Sequence, residues 1–137
     1  MMNRRLLLGS ASAALAQVLI SQAIAQNASQ GNPPVFEHDL PDLTMKNWAV
    51  RVNEINYKPG AVSAPHRHPG ITIVYVLEGE IRSKVGDGEE KTYGPGQMFM
   101  ETPNQLHGVS RNASDTKPAR FIAIQLAEKG KQRSTPA

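Results

Sequence analysis

From Trp48 onward, apolar positions come in short runs, cut by Gly, Pro, Asn or Asp about every eight to twelve residues. The runs are WAVRVNEINY (48–57), ITIVYVL (71–77), EIRSKV (80–85), KTY (91–93), QMFME (97–101), LHGVSR (106–111) and ARFIAIQL (119–126). Each is rich in β-formers, and the segments between them (KPG, HPG, EGE, GDGEE, YGPG, TPNQ and NASDTKP) carry turn residues. No useful window shows a helical period. Evenly spaced strands without helices predict an all-β, antiparallel sandwich or barrel. The run 71–77 lacks clean alternation, which predicts a central strand covered on both faces. In the first run the apolar parity changes from Trp48, Val50 and Val52 to Ile55 and Tyr57, which predicts a bulge near Asn53.

The chain opens differently. Arg4 and Arg5 precede an apolar stretch over residues 6–20 and an Ala-Ile-Ala at 23–25, the pattern of a cleavable export signal. The stretch is too short and too rich in Ser and Gln for a membrane span. Tandem arginines before LLLGS resemble a twin-arginine signal, with an ordinary secretory signal as the alternative. Either route predicts an exported bacterial protein, periplasmic or secreted. The expected organisation is a signal at 1–25, a polar Pro/Gly linker at 26–34, one β-domain at 35–127 and a flexible tail at 128–137. Cutting after Ala25 leaves about 112 residues, enough for one small domain with a core.

Charge narrows the function classes. Of fifteen Lys and Arg, Arg4 and Arg5 leave with the signal, so thirteen face twelve Asp and Glu. No basic cluster interleaved with aromatics is left, and neither nucleic acid nor, after cleavage, a membrane is an expected partner. The chain has no Cys, which excludes disulfides, thiolate ligands and a Cys nucleophile. The available chemistry is that of His, carboxylates and hydroxyls.

His66 and His68 are two apart, so in a strand they face the same way, and the same parity continues through Thr72, Val74 and Val76. His107 opens another strand after a Pro-Asn turn. Imidazole is the commonest ligand for divalent transition metals, and three of them leave positions open for water or substrate. His38 stands alone and is expected to be an ordinary surface residue.

Residues 60–79 resemble the first cupin motif: Gly60, His66, His68 and Gly79 stand at the family spacing. Residues 96–107 resemble the second, through Gly96 and His107, although Thr102, Pro103 and Asn104 replace its Pro-x-Gly turn. Asn tolerates the left-handed conformation that Gly would supply, so the turn is expected to survive. The motif's later Asn position holds Arg111, with Asn112 next to it. The resemblance is to single-domain cupins of the quercetin-dioxygenase-like type. It implies a jelly-roll β-barrel (a double-stranded β-helix) with one divalent ion, Fe, Mn, Zn or Ni, held by His66, His68 and His107. The motif's Glu position holds Thr72. Either three histidines then suffice, the preferred expectation, or a carboxylate comes from elsewhere, with Glu101 the candidate by position; Thr72 could bond an ion-bound water. Val74, Val76, Phe99 and Val109 are the expected apolar pocket. The resemblance implies a metal-dependent enzyme, oxygenase-like, acting on a small molecule, with no general base identifiable. The alternative is a non-catalytic periplasmic module that binds a ligand or metal. A homodimer is expected because barrels of this type often pair through edge strands.

Overall fold

A computed structural model describes residues 34–137; the expected signal at 1–25 and nearly all of the linker at 26–34 lie outside the described residues. His38–Ala137 form one compact unit. Ten strands follow in order: β1 Trp48–Tyr57, β2 Val62–Ser63, β3 His66–Arg67, β4 Ile71–Glu78, β5 Ile81–Val85, β6 Lys91–Tyr93, β7 Met98–Glu101, β8 Leu106–Asn112, β9 Ala119–Glu128 and β10 Thr135–Pro136. No helix occurs among the described residues. All pairings are antiparallel, in two sheets ordered β1-β9-β4-β7 and β10-β3-β8-β5-β6, with β2 also on β8. This is the all-β antiparallel architecture that the spacing of the runs predicts, in the jelly-roll form that the resemblance implies.

The core is built from the inward faces of both sheets. Val74 and Val76 of β4, Phe99 of β7 and Ala119 and Phe121 of β9 close on Ile81 of β5. Strand β4, flanked by β9 and β7, has both faces largely covered, as its continuous apolar run predicts. The β4–β5 turn depends on Gly79, whose φ is +68°, and a Cβ there would stand 2.4 Å from the Pro118 carbonyl oxygen.

The bulge expected near Asn53 is absent. β1 pairs with β9 without a register shift from Trp48↔Glu128 to Tyr57↔Ala119. The two apolar sets lie instead on opposite faces of one regular strand. Ile55 and Tyr57 pack on the core, while Val50 and Val52 face outward opposite Leu126 and Ile124 and are 64% and 59% exposed. Parity changed because both faces of an edge strand carry apolar residues.

A bulge does occur in β8, where Lys84↔Val109 is followed by Val85↔His107 and Gly108 is left over. The extra residue allows His107, Ser110 and Asn112 all to turn inward and be buried. Asn112 then donates to the Lys58 and Lys117 carbonyls at 3.0 and 2.8 Å, tying two loops together.

The segment 128–137, expected to be a loose tail, is part of the fold. β9 runs on to Glu128, and β10 pairs with β3 as Thr135↔Arg67 and Pro136↔His66. Its composition is polar because its attachments are ladder and side-chain hydrogen bonds rather than buried apolar surface. The Arg133 guanidinium donates to Asn53 Oδ1 at 3.0 Å.

Gly79→Ala should destabilise the domain by about 3 kcal/mol, since it forces a side chain into a left-handed conformation and against a backbone carbonyl. Differential scanning calorimetry should show the melting temperature falling by more than about 10 °C.

Candidate metal centre

The three histidines meet because of strand pairing. His66 on β3 is the register partner of His107 on β8, so their side chains rise side by side, with ring centroids 5.0 Å apart. His68 follows two residues on, its ring 4.9 Å from that of His66. One nitrogen from each of the three lies within 4.8 Å of the others, close enough to share one ion.

Each ring is held by its outer nitrogen. His66 Nδ1 lies 2.7 Å from the Ala64 carbonyl and His68 Nδ1 lies 2.6 Å from the Arg133 carbonyl. A carbonyl only accepts, so both Nδ1 atoms carry the proton and both Nε2 atoms keep a lone pair. The Gln125 carboxamide also sits against His68 Nδ1, at 3.1 Å. His107 Nε2 bonds the Ser83 hydroxyl at 2.8 Å. With Ser83 accepting, His107 Nδ1 is left free to act as a ligand. Outer hydrogen bonds of this kind fix tautomer and ring orientation in metal sites.

Glu101 stands against these rings. It is the register partner of Thr72 across the β4–β7 ladder and is only 1% exposed. Its Oε1 is 3.2 Å from His107 Nδ1 and its Oε2 is 3.8 Å from His68 Nε2. Among the described residues, the buried side-chain atoms without a hydrogen-bond partner are Thr72 Oγ1, Glu101 Oε2 and His107 Nδ1, and all three belong to this cluster. Unpaired buried polar atoms are costly. An ion at the centre would engage the nitrogen and the carboxylate oxygen directly, so the residues fit a divalent metal.

A cavity of about 440 Å³ adjoins the cluster. Val74 and Phe99 line it, with Ile81, Ile55 and Phe121. Val76 is fully buried in the adjoining core. Val109, also expected in the pocket, pairs with exposed Lys84 on the opposite face of β8 from Ser110, because of the bulge at Gly108. The cavity wall also carries Tyr57, whose hydroxyl bonds those of Ser63 and Ser110, the latter at 3.0 Å. Asn53, Gln125 and Arg133 add polar groups.

The sequence reading missed two supports of the histidines. Ser83 had a signal: it shares the inward parity of Ile81 and Val85 in β5, where a hydroxyl is out of place unless bonded. Arg133 had none, because it acts through a backbone carbonyl from a segment with no strand pattern.

An antiparallel β-barrel with imidazoles gathered beside an internal cavity is the architecture of the cupins. Residues 53–125, more than half the chain, match the family model of the cupin domain, and the chain belongs to that family. It is similar to the cupin-domain-containing oxidoreductase srdB of Neurospora crassa, at 34% identity over 120 residues. That match covers 80% of this chain and 60% of the relative, so the chain spans less than two thirds of that protein's length. Among solved structures it is similar to a chain from the DMSP lyases RdDddP and RnDddQII, with a TM-score of 0.57 and 17% identity over 64% of this chain and 44% of that one. A cupin-like protein of Thermotoga maritima gives a TM-score of 0.56 and 20% identity over 64% of each chain. These structural likenesses establish the fold.

Ser83→Ala removes the outer partner of His107 and should weaken binding of a divalent ion by about 10- to 100-fold. Titration calorimetry with Mn(II) on the wild type and variant would measure it.

Proposed function

We propose that this cupin is a metal-dependent oxidoreductase that acts on a small organic molecule in the cavity beside its histidines. The observation that carries the proposal is the convergence of three imidazole nitrogens within 4.8 Å, with every outer nitrogen already hydrogen-bonded. His66, His68 and His107 hold the ion, of the Fe, Mn, Zn or Ni class. Bound there, such an ion supplies Lewis acidity and, as iron or manganese, access to one-electron chemistry with O2. The name of the Neurospora crassa relative supports an oxidoreductase over the other chemistries that a cupin barrel hosts.

The chain's own residues do the rest. Val74, Ile81, Phe99 and Phe121 give the substrate an apolar wall and exclude water from the reacting end. Tyr57, with Ser63 and Ser110 behind it, presents a hydroxyl that can hold or pass a proton to a polar substituent. The Arg133 guanidinium and the Gln125 carboxamide can orient an oxygen-bearing group. The domain is exported and processed after Ala25, so Edman sequencing of protein from the periplasm or medium should begin at Gln26.

A second reading, a module that binds ligand or metal without turnover, is favoured by one observation. Among the described cavity-lining residues, the remaining carboxylate is that of Glu54, whose side chain is 46% exposed and paired to Arg120. Among the described cavity-lining residues, no second buried carboxylate stands beside Glu101.

The test is metal content followed by oxygen uptake. Purified residues 26–137 should hold close to one equivalent of a transition metal, and His66→Ala should lose it. Saturation at about a hundred times the dissociation constant should stabilise the wild type by roughly 2.7 kcal/mol, read as a rise in melting temperature. Iron- or manganese-loaded protein should then consume oxygen with at least one of a panel of catechols, flavonols and dicarbonyls. Metal binding without uptake by any of them would move the assignment to the binding module.

A further inference from the structure

Resting on the metal-site proposal above, we propose that Glu101 is the fourth protein ligand of that ion, delivered from β7 across the ladder from Thr72. Three observations converge on it. Glu101 is one of the largest fully buried side chains of the domain, yet its Oε2 has no hydrogen-bond partner. A carboxylate out of water and unpaired is unfavourable unless a cation is near.

The second observation is what the carboxylate faces. Oε1 lies 3.2 Å from His107 Nδ1 without forming a hydrogen bond, and Oε2 lies 3.8 Å from His68 Nε2. His68 gives its proton on Nδ1 to the Arg133 carbonyl, so Nε2 offers a lone pair in the neutral ring. Acceptors therefore point at acceptors. A separation of 3.8 Å is too long for a hydrogen bond. Two ligand atoms each about 2.1 Å from one ion are roughly 3.0 to 3.8 Å apart for angles between about 90° and 130°. Both observed separations fall in that range, so an ion placed against this carboxylate would be within reach of His68 and His107 as well.

The third observation is the register. Thr72 and Glu101 are direct cross-strand partners, and the Cβ atoms of such a pair are about 5 Å apart. A carboxylate rooted at either position reaches the same volume. Thr72, also buried and with an unpaired hydroxyl, is then placed to bond a water or substrate oxygen on the ion. One carboxylate also lowers the net charge of a divalent centre from +2 to +1. The competing arrangement is an imidazolium–carboxylate pair between His68 and Glu101, or a purely structural Glu101, with the ion held by three histidines.

The experiment uses Mn(II) and Co(II) as probes of the metal-free protein, by titration calorimetry, Mn(II) electron paramagnetic resonance and the visible spectrum of the Co(II) form. Glu101→Gln keeps the shape and removes the charge. It should weaken Mn(II) binding by about a hundredfold or more, beyond what loss of an outer-shell partner does, and change the Co(II) bands. Glu101→Thr should behave likewise, and the exchanged variant Thr72→Glu/Glu101→Thr should bring affinity back to within about tenfold of the wild type. Glu101→Gln that binds Mn(II) with wild-type affinity and Co(II) with an unchanged spectrum, while His66→Ala loses both, would overturn this inference and leave the metal site standing. The same holds if Glu101→Gln lowers the melting temperature alone. A wild type that takes neither ion would remove the metal site itself. Should the exchanged variant not fold, Glu101→Gln decides.

Discussion

Three buried polar atoms without a hydrogen-bond partner, Thr72 Oγ1, Glu101 Oε2 and His107 Nδ1, are the constraint around which the site is arranged. Leaving a buried donor or acceptor unmade costs about 1–3 kcal/mol, and more when the group is charged. A domain of this size has only a few kcal/mol of net stability with which to tolerate that. The strands nevertheless hold the groups in place: the His66↔His107 and Thr72↔Glu101 register pairs aim side chains from both sheets into the same space. Flanking hydrogen bonds to Ala64, Ser83 and Arg133 keep the rings from turning to find partners elsewhere. Preorganised donors facing a common centre are what a bound ion exploits, because little reordering is needed when it enters.

Much of this was legible along the chain. Seven strands follow their apolar runs to within about two residues at each end, because turn residues bound them and each run is long enough to pair on its own account. Asn104 takes the left-handed conformation expected of it, with φ of 59°, and the turn before His107 is formed. Three elements were not legible. β2, β3 and β10 are two residues long, and their pairing is decided by neighbours brought from 39 or more positions away. The apparent bulge at Asn53 shows how parity misleads at a sheet edge: Val50 and Val52 face outward, and an apolar residue need not be an inward one. Register shifts occur instead at Gly108 of β8, where a glycine among strand residues was the only mark, and at Leu77 of β4.

The candidate site divides in the same way. The three histidines announce themselves by type and spacing, whereas the position of Glu101 beside them depends on which residue of β4 it faces. That register is a property of the folded ladder. The spacing that marks His66 and His68 also shows Thr72 where a carboxylate is expected, and only the neighbouring strand shows where one stands. A carboxylate rooted across the ladder can share the space of the motif position while standing outside the motif, so a candidate site is better defined by convergence of atoms than by a string of letters.

One attachment described above links two ends of the cavity. The residue whose carbonyl orients His68 is also the residue whose guanidinium reaches Asn53 on β1. Carbonyl and side chain of one residue thus fasten both the His68 ring and strand β1, so Arg133 is held at two points of the cavity wall. The segment 128–137, polar as it is, thus braces an imidazole and an edge strand through a single residue.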